Sequence, residues 1–234
     1  MESVDAWANS QDWDYFRLDD AFLRLPEQWI LEKCGTNIYA VTDVARLIWL
    51  DEVLNQGYER VVWADADMLV ISPTLLTKQI QRHHGHGFAK EVFLPIENAQ
   101  VHAPRMGINN SLMFFERGDL TLKAYLNKCK SFLLSFNEQS LPRTSLGPTL
   151  LTNYQRGARF NLIDGVGLLT PAIMLPLGRG DDSSFDAYER SMGSPIVAAN
   201  LCHFMRNQTP PTKRAAFDRG YASAIHFLNR RNQR

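Results

Sequence analysis

Arg60-Val61-Val62-Trp63-Ala64-Asp65-Ala66-Asp67-Met68-Leu69-Val70-Ile71 is the stretch whose reading sets the fold class. Residues 60–64 form a short β-rich run bounded by turn residues, then come two carboxylates, then a second apolar run. The segment before it, from Tyr39 to about Gln56, repeats apolar residues at helical spacing (Val41, Val44, Ala45, Ile48, Leu50, Val53, Leu54), and Gly57 suits a helix end. A helix leading directly into a buried strand is an α/β arrangement. Further out, residues 2–9 read as a short helix, Tyr15–Leu18 as a strand, and Pro26 as the opening of a helix carrying Trp29, Ile30 and Leu31. Val92–Pro95 and Ser111–Phe115 read as strands, and Leu120–Phe136 and Ala215–Leu228 as helices. Leu168-Leu169 and Ile173–Leu175 read as short extended pieces.

The chain has 234 residues, 45% hydrophobic and 21% charged, enough for a sizeable core without disulfides or a structural metal. Lys plus Arg number 25 and Asp plus Glu number 25, so the formal charge is zero. That balance speaks against a nucleic-acid partner, which calls for a basic excess. Cys34, Cys129 and Cys202 follow no metal-binding or disulfide spacing and read as buried free thiols. No stretch is long and apolar enough for a transmembrane span, and the start has no signal-peptide pattern. The expected location is cytoplasmic, with the Golgi lumen or a membrane periphery requiring an N-terminal anchor outside this sequence. Neither Asn109-Asn110-Ser111 nor Asn207-Gln208-Thr209 is read as a glycosylation acceptor.

An Asp-x-Asp alone says little, since about one arises by chance in a chain of this composition. A second copy, Asp12-Trp13-Asp14, has no strand context and reads as a solvated turn. Asp65 and Asp67 differ because they end an apolar strand, where open α/β sheets place their ligand crevice. In extended backbone, residues i and i+2 point to one side, so the two carboxylates converge on a single hard cation. Mg²⁺ or Mn²⁺ held this way keeps positions open for phosphate oxygens.

Thr42-Asp43-Val44-Ala45-Arg46 followed by Gly57-Tyr58-Glu59-Arg60-Val61-Val62-Trp63-Ala64-Asp65-Ala66-Asp67 resembles the core of DXD glycosyltransferases with the GT-A fold. The nearest likeness is to family 32, with the glycogenin-like family 8 next. Three later segments fit in order: Asn109-Asn110-Ser111-Leu112-Met113-Phe114-Phe115, Leu146-Gly147-Pro148-Thr149-Leu150-Leu151-Thr152, and Asn200-Leu201-Cys202-His203. The resemblance implies a mixed, mostly parallel sheet flanked by helices, with the usual first strand missing. Motifs from Asp43 to His203 must then meet in one pocket, so residues 1–234 read as one domain with a short basic tail at 229–234.

The resemblance also implies roles. Asp65, Asp67 and His203 would hold Mn²⁺ or Mg²⁺ against the diphosphate of a UDP- or GDP-linked sugar. Asp43 and Asn110 would stand at the reacting centre. Asp43, Arg46, Asp65, Ala66, Asn109, Asn110, Gly147 and Pro148 would border the donor and its saccharide acceptor. Arg46, one helical turn after Asp43, would share its face. The activity implied is transfer of a hexose, with retention at the anomeric carbon.

Two other readings remain open. A haloacid-dehalogenase-like phosphohydrolase would use Asp65 as nucleophile, Asp67 as acid and Asp181-Asp182 as metal ligands, but Leu69 stands where such enzymes carry Thr or Val. A non-catalytic relative would keep the fold as a sugar-binding module. His83-His84-Gly85-His86 looks like a metal cluster and reads as a surface loop with no matching acid.

Overall fold

Helices α1 (Glu2–Ser10), α2 (Gln28–Cys34) and α3 (Ile38–Asn55) lead into strands β1 (Arg60–Ala64) and β2 (Met68–Val70). The computed structural model describes residues 2–97, 100–137, 140–155, 157 and 159–231. Helix α4 (Pro73–Gln81) precedes β3 (His86–Phe93), the two-residue strands β4 (Ile96–Glu97) and β5 (Gln100–Val101), and the long β6 (Arg105–Glu116). Then come α5 (Thr121–Ser135), α6 (Pro148–Tyr154), β7 (Leu162–Ile163), β8 (Val166–Leu168) and α7 (Pro171–Leu177). The chain closes with α8 (Ser183–Met192), β9 (Ala198–Asn200), α9 (Phe204–Gln208) and α10 (Pro211–Arg231).

One sheet has the order β1-β6-β3-β7 and another β2-β9-β8. Alternation along β6 shows why helices cover both faces of the first. Met113 and Phe115 pack with α3 and α5, whereas Leu112 and Phe114 pack with α1 and α4. In β2 and β9 the same period sends Leu69 and Ala199 toward α7, α8 and α10, and Met68, Val70 and Ala198 toward α1 and α4. This is a mixed α/β architecture. The mostly parallel sheet is corrected, however: four of the six pairings among the described residues are antiparallel. The return from β3 to β6 runs through the small β4–β5 hairpin, too short for the crossover that parallel neighbours need.

Helix α3 positions the site. The Asn37 side chain accepts the Ala40 N–H at 3.2 Å and caps its start. Its last turn is followed by Gly57 at φ 108°, a left-handed conformation that suits glycine. Ala40, Val44, Leu47, Leu50 and Val53 are buried against the sheet, and Asp43 and Arg46 are buried with them.

Three expectations change. Tyr15–Leu18 is irregular rather than a strand, and among the described residues no strand precedes Arg60. That segment packs by its rings instead of a ladder: Phe16 lies edge-on to Trp49 and Tyr58, and the Tyr58 hydroxyl donates to Asp14 at 2.7 Å. Ile173–Leu175 is helical, because Pro171 supplies the fixed φ that opens α7. The strand expected at Val92–Pro95 ends at Phe93 and begins at His86. No helix among the described residues is long and apolar enough to cross a membrane.

Candidate functional site

Asp65 and Asp67 converge, but through a turn and not through strand alternation. The Asp65 N–H extends the β1–β6 ladder by donating to the Ser111 carbonyl at 2.8 Å. The chain then reverses, with the Met68 N–H donating to the Asp65 carbonyl at 2.9 Å. Asn200, at the end of β9, ties the two carboxylates together: its Nδ2 lies 3.0 Å from Asp67 Oδ1 and 3.5 Å from Asp65 Oδ2. Asn200 is in turn fixed by the Cys202 N–H, 2.8 Å from its Oδ1. Cys202 adopts φ 52°, an uncommon conformation for a residue with a side chain. The turn it makes delivers the His203 N–H to Asp67 Oδ2 at 2.9 Å.

The second half of the site is a buried network on α3 and β6. Arg46 Nη1 donates to Asp65 Oδ1 at 2.9 Å and to the Asn110 carbonyl at 3.0 Å, while Nη2 lies 3.1 Å from Asp43 Oδ1. The guanidinium also sits over the Trp63 ring, 5.1 Å from its centre. Asn110 Nδ2 donates to Asp43 Oδ1 at 2.8 Å. Gly147, just before α6, is required by close approach. A Cβ there would meet Asn110 Nδ2 at 2.9 Å and both Asn110 Oδ1 and Asp43 Oδ2 at 3.0 Å. Pro148 follows as the first residue of α6.

Burial raises the Asp43 carboxyl above its usual range, with Arg46 and Asn110 pulling it back. Burial pushes Asp65 up to about 6; Arg46 and the Trp63 indole lower it, and the charges of Asp67 and Asp43 raise it. Burial works against the Arg46 charge, yet Asp65 and Asp43 outweigh it and hold its pKa above the usual range.

A cavity of about 1960 Å³ gathers these groups. Asp43, Arg46, Asp65, Ala66, Asp67, Asn109, Asn110, Pro148 and His203 all line it, and Gly147 supports it from behind Asn110. Asn110 and His203, 93 positions apart in sequence, therefore line the same cavity as Asp65 and Asp67. No family model matches the chain, and no curated protein matches it. A solved structure is similar to it: a glycosyltransferase involved in the glycosylation of the major capsid of PBCV-1. The two chains are 12% identical, with 96% of this chain and 89% of that one covered and a TM-score of 0.39.

Metal binding would fall to Asp65 and Asp67. Among the described residues no three His, Cys, Asp or Glu side chains come together as a metal-holding set. His203 gives its backbone N–H to Asp67 and stacks its ring on Tyr221, with ring centres 5.5 Å apart. The Asn200 amide brings Asp65 Oδ2 and Asp67 Oδ1 together, and two carboxylates so placed would suit the donor set of Mg²⁺, which water and phosphate oxygens complete.

Two participants escaped the sequence reading. Trp63 donates its indole N–H to Asp65 Oδ1 at 2.7 Å, and its position on β1, two residues before Asp65, was the available signal. Asn200 lay inside a quoted motif whose histidine drew the role. Asp181 and Asp182 do not line the cavity, and Asp181 accepts from the Ser183 N–H and hydroxyl beside α8. The histidine run also changes. His86 begins β3, and its Nδ1 lies 3.2 Å from Asp119, so an acid is present where none was expected.

Proposed function

We propose that the chain is a metal-dependent glycosyltransferase that moves a hexose from a UDP- or GDP-linked sugar to a saccharide acceptor, with retention at the anomeric carbon. The observation that carries this reading is the convergence of Asp65 and Asp67 through Asn200, beside the Asp43–Arg46–Asn110 network, in one cavity. Bound Mn²⁺ or Mg²⁺ would supply charge stabilisation to the departing nucleoside diphosphate.

In the reaction, the bond from the anomeric carbon to the diphosphate oxygen breaks and its electron pair stays with the diphosphate. The acceptor hydroxyl oxygen bonds to the anomeric carbon, and its proton passes to the departing diphosphate. Asp65 and Asp67 would hold the cation and so place its charge at the diphosphate end. Asn110 and Asp43, locked to each other and crowded by Gly147, present a rigid polar wall to the hexose. Arg46 spends its donors on Asp43, Asp65 and Asn110, so it acts by holding these groups in place.

The phosphohydrolase reading has less support, because Asp65, its nucleophile, is paired with Arg46 and its second acidic pair lies outside the cavity. Titration calorimetry of nucleotide-sugars with and without Mn²⁺ tests the proposal. Metal-dependent binding to the native chain should vanish in Asp65→Asn and Asp67→Asn. Binding unchanged in both variants would overturn it.

A further inference from the structure

Glu91 is a carboxylate in this cavity to which the site above gives no task. Strands β3 and β6 place it opposite Gly107, and place Ala89 opposite Asn109. The position across from Glu91 therefore carries no side chain. A Cβ at Gly107 would lie 2.9 Å from Thr152 Oγ1 and 3.5 Å from Glu91 Oε1, so any side chain there would press on Thr152 and stand against that oxygen.

The other oxygen is anchored. Asn109 Nδ2 donates to Glu91 Oε2 at 2.6 Å, and the Ser111 N–H holds Asn109 Oδ1 at 2.7 Å, which fixes the amide toward Glu91. The nearby cations are turned elsewhere: Lys90 pairs with Asp164 at 3.1 Å, and Arg105 lies over the Phe93 ring. Burial raises the Glu91 carboxyl above its usual range, against the Asn109 bond. Among the described residues no cation pairs with Glu91, so this half-buried carboxylate has Oε2 anchored by Asn109 and gains from a ligand that brings a donor to Oε1.

The sheet order indicates which ligand. Asp65 follows β1, Asn110 is on the neighbouring β6, and Glu91 is on β3, one strand further from the carboxylate pair. A carboxylate repels a diphosphate and accepts strongly from hydroxyl groups. We propose that Glu91 binds hydroxyl groups of the acceptor saccharide through Oε1. This rests on the transferase reading for the word acceptor, and on the Glu91 geometry alone for saccharide binding.

Glu91→Gln tests it at nearly constant volume. The amide carbonyl takes the Asn109 bond, and the open position changes from an acceptor to a donor. The probes are the methyl glycosides of glucose, galactose and mannose, followed by saturation-transfer NMR on the full chain, alongside thermal shifts with UDP- and GDP-sugars plus Mn²⁺. At least one glycoside should bind the native chain and bind Glu91→Gln tenfold or more weakly, while nucleotide-sugar shifts stay the same in both. The variant should melt at or above the native temperature, because a structural role for Glu91 would lower it. Glycoside binding equal in both chains, absent from the native chain, or lost together with a lowered melting temperature overturns the proposal. If no nucleotide-sugar stabilises either chain while glycoside binding still depends on Glu91, the saccharide contact stands and the transferase reading fails.

Discussion

Arg46 donates to Asp43, Asp65 and the Asn110 carbonyl together, so one guanidinium faces two carboxylates with Asp67 close behind. The positive charge does not cover them all, and burial pushes Asp65 up to about 6. An ordinary aspartate loses its proton near 3.9. Between about pH 4 and pH 6 the folded chain therefore keeps a proton on Asp65 that the unfolded chain has released. The stabilisation from that proton is fully present below about pH 4 and is lost as pH rises through 6. The loss should amount to about 1–3 kcal/mol. Urea melts in a metal-chelating buffer at pH 4, 5, 6 and 7 measure it. The native chain should lose stability across this window relative to Asp65→Asn, which lacks this one carboxyl. Parallel profiles for the two chains would show that Asp65 titrates normally.

At the scale of elements, legibility in the sequence followed how local the cause was. Helix α3 and strand β1 were readable because their apolar spacing and their caps lie within each segment. The N-terminal segment was misread because Phe16 and Tyr58 meet only in the fold, and no local pattern records a ring packed 42 residues away. The aspartate turn was half readable. Convergence of Asp65 and Asp67 was expected, yet its agent is Asn200 on a distant strand. Sheet direction was expected from likeness alone, and the β4–β5 hairpin reversed it. Where the cause is local, a substitution should act locally. Asn37→Ala removes the α3 cap and should cost about 1 kcal/mol. For a chain of this size that is a fall in melting temperature of about 2–4 °C. Calorimetry reads it directly, and no change would mean that packing alone sets where α3 begins.

For the whole molecule, the cavity matters most because three remote pieces of chain build it. The irregular segment 13–19, the Asp65–Asp67 turn and the Cys202–His203 turn all line it. The two turns are joined by hydrogen bonds, His203 N–H to Asp67 and Asn200 to both carboxylates, while segment 13–19 is held by the Tyr58 hydroxyl on Asp14. Each lies outside the strands, in a turn or irregular segment, and such segments open at less cost than core strands. A ligand that spans the cavity should therefore slow their openings together, since it draws its affinity from all three at once. Amide hydrogen exchange with Mn²⁺ and a nucleotide-sugar should show coordinated protection at residues 13–19, at Asp65–Met68 and at His203. Exchange in α8, none of whose residues lines the cavity, should change little. Mn²⁺ alone should protect only the aspartate turn and His203, because it reaches Asp65 and Asp67 but not the aromatic segment. Protection by the nucleotide-sugar confined to segment 13–19, with the turn unaffected, would place the ligand away from the carboxylates and separate the cavity from the chemistry assigned to it.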